Sequence, residues 1–223
     1  MNQDVSAERI IAIGDIHGCN TALHALLDAI ALTDRDILVP LGDYVDRGPD
    51  SKGVLDTLIR LKAEYDVRPI FGNHEEMMLT ALEGNPPHDW LRYGGVETLD
   101  SYGFSGDLGI VPERHVEFLR NCVDYVETDK HIFLHANYIY DVPLDRQDEF
   151  QLRWRSLIDE MPGPHMSGKI AVVGHTPDKT GEILDVGFLK CIDTFCYGGQ
   201  WLTALDVLTG QVWQANDQGE LRP

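Results

Sequence analysis

The chain has 223 residues, 43% of them apolar, and carries a formal charge of −19 from 37 acidic against 18 basic side chains. That length suits one α/β domain with a sizeable core, the acidic balance excludes a nucleic-acid surface built on a basic stripe, and no stretch approaches the ~20 apolar residues of a membrane span. The same charge repels free phosphorylated compounds, so any phosphate site must reverse the field locally with cations.

The opening residues show no basic segment followed by an apolar run, so no secretory leader is read and a cytoplasmic protein is expected. Arg9–Ile13 predicts a buried strand, and residues 21–31 a helix with Asn20 as its N-cap. Residues 37–41 predict a second strand, Ser51–Glu64 a second helix, 67–71 a third strand and 75–83 a third helix. Strand–loop–helix repetition predicts βαβ units and a largely parallel arrangement. Residues 85–109, rich in Gly, Pro and aromatics, break the pattern and are expected to form a capping excursion near the site, with 113–121 helical after it. From Tyr125 the pattern turns strand-rich: 132–134, Ile170–Val173, 183–184, 188–192, and a hairpin from 202–207 to 211–214 turning at Leu208-Thr209-Gly210. A parallel-type first half and an antiparallel-type second half predict two packed sheets with helices outside, in one domain over residues 1–223. Cys19, Cys122, Cys191 and Cys196 form no C-x-x-C pair and are expected to be reduced, buried thiols.

The chemistry sits where the strands end. Ile13 runs into Gly14-Asp15-Ile16-His17-Gly18, Leu41 into Gly42-Asp43, and Phe71 into Gly72-Asn73-His74-Glu75; later, Leu134 runs into His135 and Val173 into Gly174-His175. Ligands of α/β sheets bind beyond the carboxyl ends of strands, so these polar groups are expected at one rim. Carboxylate, imidazole and amide donors without thiolate suit divalent Mn, Fe or Zn. Asp15 and His17 can reach one ion together, Asp43 can bridge two with its two oxygens, and Asn73, His135 and His175 complete the second ion's shell. A pair of ions activates water and clamps the oxygens of an in-line phosphoryl displacement. His74 can serve as general acid with Asp46 holding its imidazolium. Arg47 can present a bidentate fork to phosphate, and a second arginine is expected from Arg153-Trp154-Arg155.

GDIHG, GDYVDRG and GNHE, in that order, closely resemble the PPP family of metal-dependent serine/threonine protein phosphatases within the calcineurin-like phosphoesterase superfamily. His135-Ala136, Gly174-His175-Thr176 and the tail Ile192-Asp193-Thr194, Tyr197-Gly198-Gly199 and Leu202-Thr203-Ala204-Leu205 look like its small bacterial and phage branch. Many members place two glycines after the first late histidine, where this chain has Ala136-Asn137; small bacterial relatives vary there. The resemblance implies a four-layer α/β/β/α sandwich of two mixed sheets flanked by helices. It implies Asp15, His17, Asp43, Asn73, His135 and His175 as ligands of two divalent ions, Mn ahead of Fe or Zn. It also implies His74 as acid, Asp46 as its orienter, and Arg47 plus one later arginine on the phosphate. Of Arg153 and Arg155, the latter precedes Ser156-Leu157 as the phosphate arginine does in bacterial relatives.

The leading expectation is hydrolysis of phosphomonoesters on phosphoserine or phosphothreonine by direct water attack. The alternative on the same metal core is symmetrical hydrolysis of dinucleoside polyphosphates such as diadenosine tetraphosphate, against which the sequence sets its short length and its acidity. An inactive metal- or phosphate-binding module is disfavoured because every ligand, His74, Asp46 and Arg47 are present. The expected partner is a phosphorylated protein or small phosphoester, with neither nucleic acid nor membrane; the sequence is silent on oligomeric state. His24 reads as a helix-surface residue, His131 as structural, and His88, His115 and His165 as solvated. Trp90, Tyr93 and Tyr102 read as packing under a loop, and residues 141–149 as a solvated acidic segment.

Overall fold

In β1 (Arg9–Ile13) alternate side chains join different cores: Ile11 and Ile13 pack with helical residues, whereas Ile10 and Ala12 face a second sheet. Successive strand side chains point to opposite faces, and here both faces are covered. This computed structural model describes residues 7–223, so the leader reading of the first residues lies mostly outside the described chain. Helices α1 (Asn20–Ile30), α2 (Ser51–Glu64), α3 (Asn73–Leu82) and α6 (Glu113–Arg120) contribute Leu23, Leu55, Met78 and Leu119 to the first core. α4 (His88–Trp90), a π-turn over Leu91–Gly95 and α5 (Val96–Ser101) form the excursion after α3.

The first sheet runs β10-β9-β1-β2-β3, where β2 is Asp36–Pro40, β3 Asp66–Val67, β9 Leu202–Asp206 and β10 Val212–Ala215. The second runs β4-β5-β6-β8-β7, where β4 is Tyr125–Glu127, β5 His131–Leu134, β6 Ile170–Val173, β7 Leu184–Asp185 and β8 Leu189–Cys191. Between them lie Ala12, Val39, Phe133, Val172 and Leu205. On the second sheet's outer face Ile132, Leu134, Ala171 and Val173 meet Leu152 of α7 (Glu149–Trp154). The result is the expected sandwich of two mixed sheets flanked by helices.

The expected parallel first half is found in β1–β2–β3, but the antiparallel second half is corrected: β5–β6–β8 run parallel, with β4 and β7 antiparallel at the two edges of that sheet, and in the first sheet β9 runs antiparallel to β1. The last hairpin returns to the first sheet beside β1. Regular pairing of the third predicted strand is confined to Asp66–Val67, but its backbone continues beside β2, Arg68 N–H donating to the Leu38 carbonyl (2.9 Å) and Ile70 N–H to that of Pro40 (2.9 Å), while Ile70 also bridges Val123. Asn20 does not cap α1: Cys19 holds that position, and the Asn20 amide donates to Asp50 (2.8 Å), itself the N-cap of α2. All four cysteines are free, Cys122 being half-buried and the others buried. Among the described residues no helix is long and apolar enough to cross a membrane.

Candidate metal centre and active site

The carboxyl ends of both sheets meet at one rim. A side chain at Gly14 would lie 2.4 Å from the Ile192 carbonyl, so the ends of β1 and β8 touch. Asp15 and His17 follow β1, Asp43 follows β2, Asn73 and His74 open α3, His135 follows β5 and His175 follows β6. His17, Asp43, Asp46, Arg47 and His175 all have φ between 43° and 73°. Left-handed backbone in residues with side chains costs about 1–3 kcal/mol each and persists only where surrounding contacts over-determine it.

Those contacts are present. Glu75, fully buried, accepts from the backbone N–H groups of Asp43 (2.8 Å), Tyr44 (2.7 Å), Val45 (3.3 Å) and Gly72 (3.0 Å). Burial, with the neighbouring Asp43 charge, pushes its carboxyl up to about 7, while the N–H donors hold it down. Glutamine at this position would turn an N–H group towards N–H donors. Glu75→Gln should therefore cost about 3 kcal/mol and lower the Tm of the metal-free protein by roughly 6–12 °C. A thermal melt shifted by less than about 2 °C would contradict the clamp.

Three imidazoles are held in known tautomers. His17 Nδ1 lies 2.8 Å from the Val45 carbonyl, His135 Nδ1 2.8 Å from that of Leu41, and His175 Nε2 3.0 Å from that of Trp154. A carbonyl only accepts, so these nitrogens carry the protons and the opposite nitrogens turn lone pairs to the site. His135 Nε2 and His175 Nδ1 stand 3.2 Å apart, each 3.0 Å from Asn73 Oδ1, and Asp43 Oδ1 lies 3.3 Å from His135 Nε2. With the rings neutral, acceptors face acceptors and repel unless a cation lies among them; without one, a proton on His135, whose pKa is raised against burial by the Asp43 charge, takes that place. Such spacings are also those of neighbouring ligands, about 3 Å apart when each is about 2.1 Å from one small divalent ion. The donor set therefore fits a metal. Burial and the His135 charge lower His175 to about 4, leaving it neutral as ligation requires. Against the upward push of burial, the His135 and His74 rings hold the Asp43 carboxyl well below its usual range.

Asp43 also belongs to a second group of closely set donors, with His17 and His74. His17 Nε2 lies 3.4 Å from Asp43 Oδ2 and accepts from Arg47 at 2.9 Å, and the Arg47 guanidinium rests 4.5 Å over the Tyr197 ring. Asp15 falls in neither group. Both its oxygens accept from the His175 backbone N–H, in a space kept open because a side chain at Gly174 would sit 2.0 Å from the carboxylate. Burial, with the charges of Asp193 and Asp43, raises Asp15 well above the usual carboxylate range, as expected of a group whose cation is supplied from outside.

His74 Nδ1 meets Asp46 Oδ2 at 2.7 Å. Asp46 is also held by Trp90 Nε1 (2.9 Å) and the Thr98 hydroxyl (2.7 Å), and its backbone N–H donates to Thr98 and Ser51. Burial raises Asp46, and the bond from His74 opposes that rise. Trp90 is thus buried as expected but has a polar role the sequence did not disclose; Thr98, Glu75 and Tyr197 were likewise missed. The tryptophan inside a polar, glycine-rich excursion was the one available signal.

The two candidate arginines separate cleanly. Arg153 is committed to Asp124 (2.8 Å), Glu76 and Glu149 (3.3 Å each). Arg155 lies over the Phe150 ring and leaves its buried Nε without a partner. It directly follows Trp154, whose carbonyl anchors His175, so it is the arginine left free beside the centre.

Two histidines correct the sequence reading. His115 is buried, not solvated, between the Tyr102 hydroxyl (2.6 Å) and Asp56 (2.9 Å). His165 is buried as well, bonded to Ser167 and the Val142 carbonyl. His24 and His88 are exposed, and His131 is buried away from the centre.

The family model for calcineurin-like phosphoesterases matches residues 8–203. The chain belongs to that family. A symmetrical bis(5'-nucleosyl)-tetraphosphatase of Nitrosomonas europaea is 30% identical over 250 aligned residues, covering 91% of each chain. A second such enzyme, from Acidovorax, is 45% identical over 76 residues, covering 34% of this chain and 26% of that one. Serine/threonine-protein phosphatase 1 of Salmonella typhimurium is 42% identical over 84 residues, 37% of each. The chain therefore spans well under half the length of the last two relatives. Among solved structures, that of a candidate diadenosine tetraphosphatase superposes with a TM-score of 0.73 at 23% identity, covering 95% of this chain and 94% of that one, which supports the shared fold.

Proposed function

We propose that this metallophosphoesterase hydrolyses dinucleoside polyphosphates symmetrically, using two divalent ions, Mn first among Mn, Fe and Zn. The observation that carries the substrate class is the similarity to a symmetrical tetraphosphatase along nine-tenths of both chains. The sequence arguments against it weigh less than they did. Net charge is a property of the whole surface, whereas Arg47 and Arg155 stand at the rim with no carboxylate ion-pair partner among the described residues.

Asp43, Asn73, His135 and His175 would hold one ion, and Asp43 with His17 and Asp15 the other. When bound, such a pair supplies an activated water and positive charge against the transferred phosphoryl group. This chain's own residues do the rest. Arg47 and Arg155 bind and orient phosphate oxygens, Asp46 fixes the His74 ring, and His74 presents Nε2, with a proton, towards the leaving oxygen.

The second reading, a phosphoprotein phosphatase, has one observation in its favour. A buried His–Asp pair is needed most when the leaving group is a poor one such as a serine alkoxide. A turnover panel separates the two, with diadenosine tetraphosphate, a phosphoserine peptide and p-nitrophenyl phosphate offered under defined Mn, Fe and Zn loading. ADP as the sole nucleotide product is expected. Turnover of the peptide with none of the dinucleotide would replace this reading by the second.

A further inference from the structure

Between α3 and the excursion lies a cavity of about 490 Å³, bounded by Met77, Thr80, Asp89, Trp90, Tyr93 and Trp154. Its volume falls in the range of about 300–1,000 Å³ usual for small-molecule sites. Two of its walls are bonded directly to the centre. Trp90 donates to Asp46, and the Trp154 carbonyl accepts from His175 while its indole N–H is pinned to Glu76 at 2.6 Å.

We infer that this cavity is the nucleoside subsite, taking a purine base while the adjoining phosphates run past Arg92 and Arg47 to the metal centre. The assignment rests on the dinucleotide reading above. Three features of the excursion carry it. Gly94, at φ 115°, accepts from the Arg47 backbone N–H at 3.2 Å, and a side chain there would lie 2.5 Å from that nitrogen. Tyr93, the residue before it and 47% exposed, is thereby held beside Arg47 with ring area free for stacking. Arg92 is exposed, its guanidinium 5.9 Å from the centre of the Tyr93 ring; among the described residues it has no carboxylate ion-pair partner, although the chain carries an excess of carboxylates. An unpaired guanidinium two residues from the Arg47 contact is where an extended phosphate chain meets its next positive charge. Inside the cavity the sign reverses. Asp89 has no hydrogen-bond or ion-pair partner among the described residues, and it suits the exocyclic amino donor of adenine while repelling phosphate. The aromatic end of the substrate therefore enters, and the anionic end stays at the rim.

The test uses the Mn-loaded full chain, with kcat/KM measured for diadenosine tetraphosphate and for p-nitrophenyl phosphate, and adenosine titrated against tryptophan fluorescence. Loss of one stacking ring is expected to lower the ratio of the two kcat/KM values about tenfold in Tyr93→Ala, mainly through KM. Asp89→Asn should lower it in the same direction, and Tyr93→Ala should abolish the adenosine-dependent quench. Tyr93 is exposed, so its truncation does not threaten folding, and unchanged far-UV circular dichroism confirms that. If the wild type cleaves the dinucleotide and both variants keep its selectivity ratio, the subsite is overturned while the functional reading stands. If the wild type does not cleave it, the functional reading falls, and adenosine alone then decides the subsite: a quench lost in Tyr93→Ala upholds it, and absence of binding overturns it.

Discussion

His74→Asn should retain its metal and lose about 10²–10⁴-fold in turnover of a phosphoserine peptide, the contribution expected of a positioned general acid. The same substitution should cost far less with diadenosine tetraphosphate. The ADP leaving group ends in a phosphate whose second pKa is about 6, so it departs largely without a proton. The 2.7 Å bond between His74 Nδ1 and Asp46 leaves Nε2 to face the centre. His74 also has a competing role open to it, as one of three closely set donors with His17 and Asp43, its Nε2 standing 3.9 Å from Asp43 Oδ2. The two roles are exclusive, since a lone pair given to an ion cannot carry a proton. Metal content by mass spectrometry decides between them. A variant that loses one ion equivalent would make His74 a ligand, and equal losses with both substrates would remove it from proton transfer.

Most of the close-set donors were legible because they are local. Asp15, His17, Asp43, His135 and His175 lie within four residues of a strand end, Asn73 opens α3, and glycines beside the donors mark the turns. What escaped came from a distance. Trp90 and Thr98 lie 44 and 52 residues from Asp46 in sequence, inside a segment without periodicity. His115 looked solvated because its neighbours are polar, yet the groups that satisfy it, Tyr102 and Asp56, are 13 and 59 residues away. The choice between Arg153 and Arg155 likewise turned on Asp124 and Glu76, which local spacing does not reveal.

The fold shows the same division. Apolar strands covered on both faces carry no alternation that tells one sheet from the other, so the β9–β10 hairpin could be read while its place beside β1 could not. Residues 67–71 were legible as one extended segment: regular pairing covers only Asp66–Val67, yet Arg68 and Ile70 still donate to β2 carbonyls.

Asp43→Asn should abolish the response of stability to added metal. Asp43 is the one residue common to both groups of close donors, with Oδ1 towards His135 and Oδ2 towards His17. In the wild type, Mn at 100 times its dissociation constant should add about 2.7 kcal/mol, a Tm rise of roughly 5–10 °C for a chain of this size. An asparagine keeps an oxygen to accept from the His74 backbone N–H, a bond of 3.1 Å in the wild type, so local structure survives. It removes a negative charge whose field raises both Asp15 and Glu75. Against the push of burial, the ionised Asp43 is itself favoured in the fold by His135 and His74, so the metal-free variant should melt somewhat below the wild type while gaining little from Mn. A full Mn-dependent rise would show that the remaining donors hold the ions without a bridge.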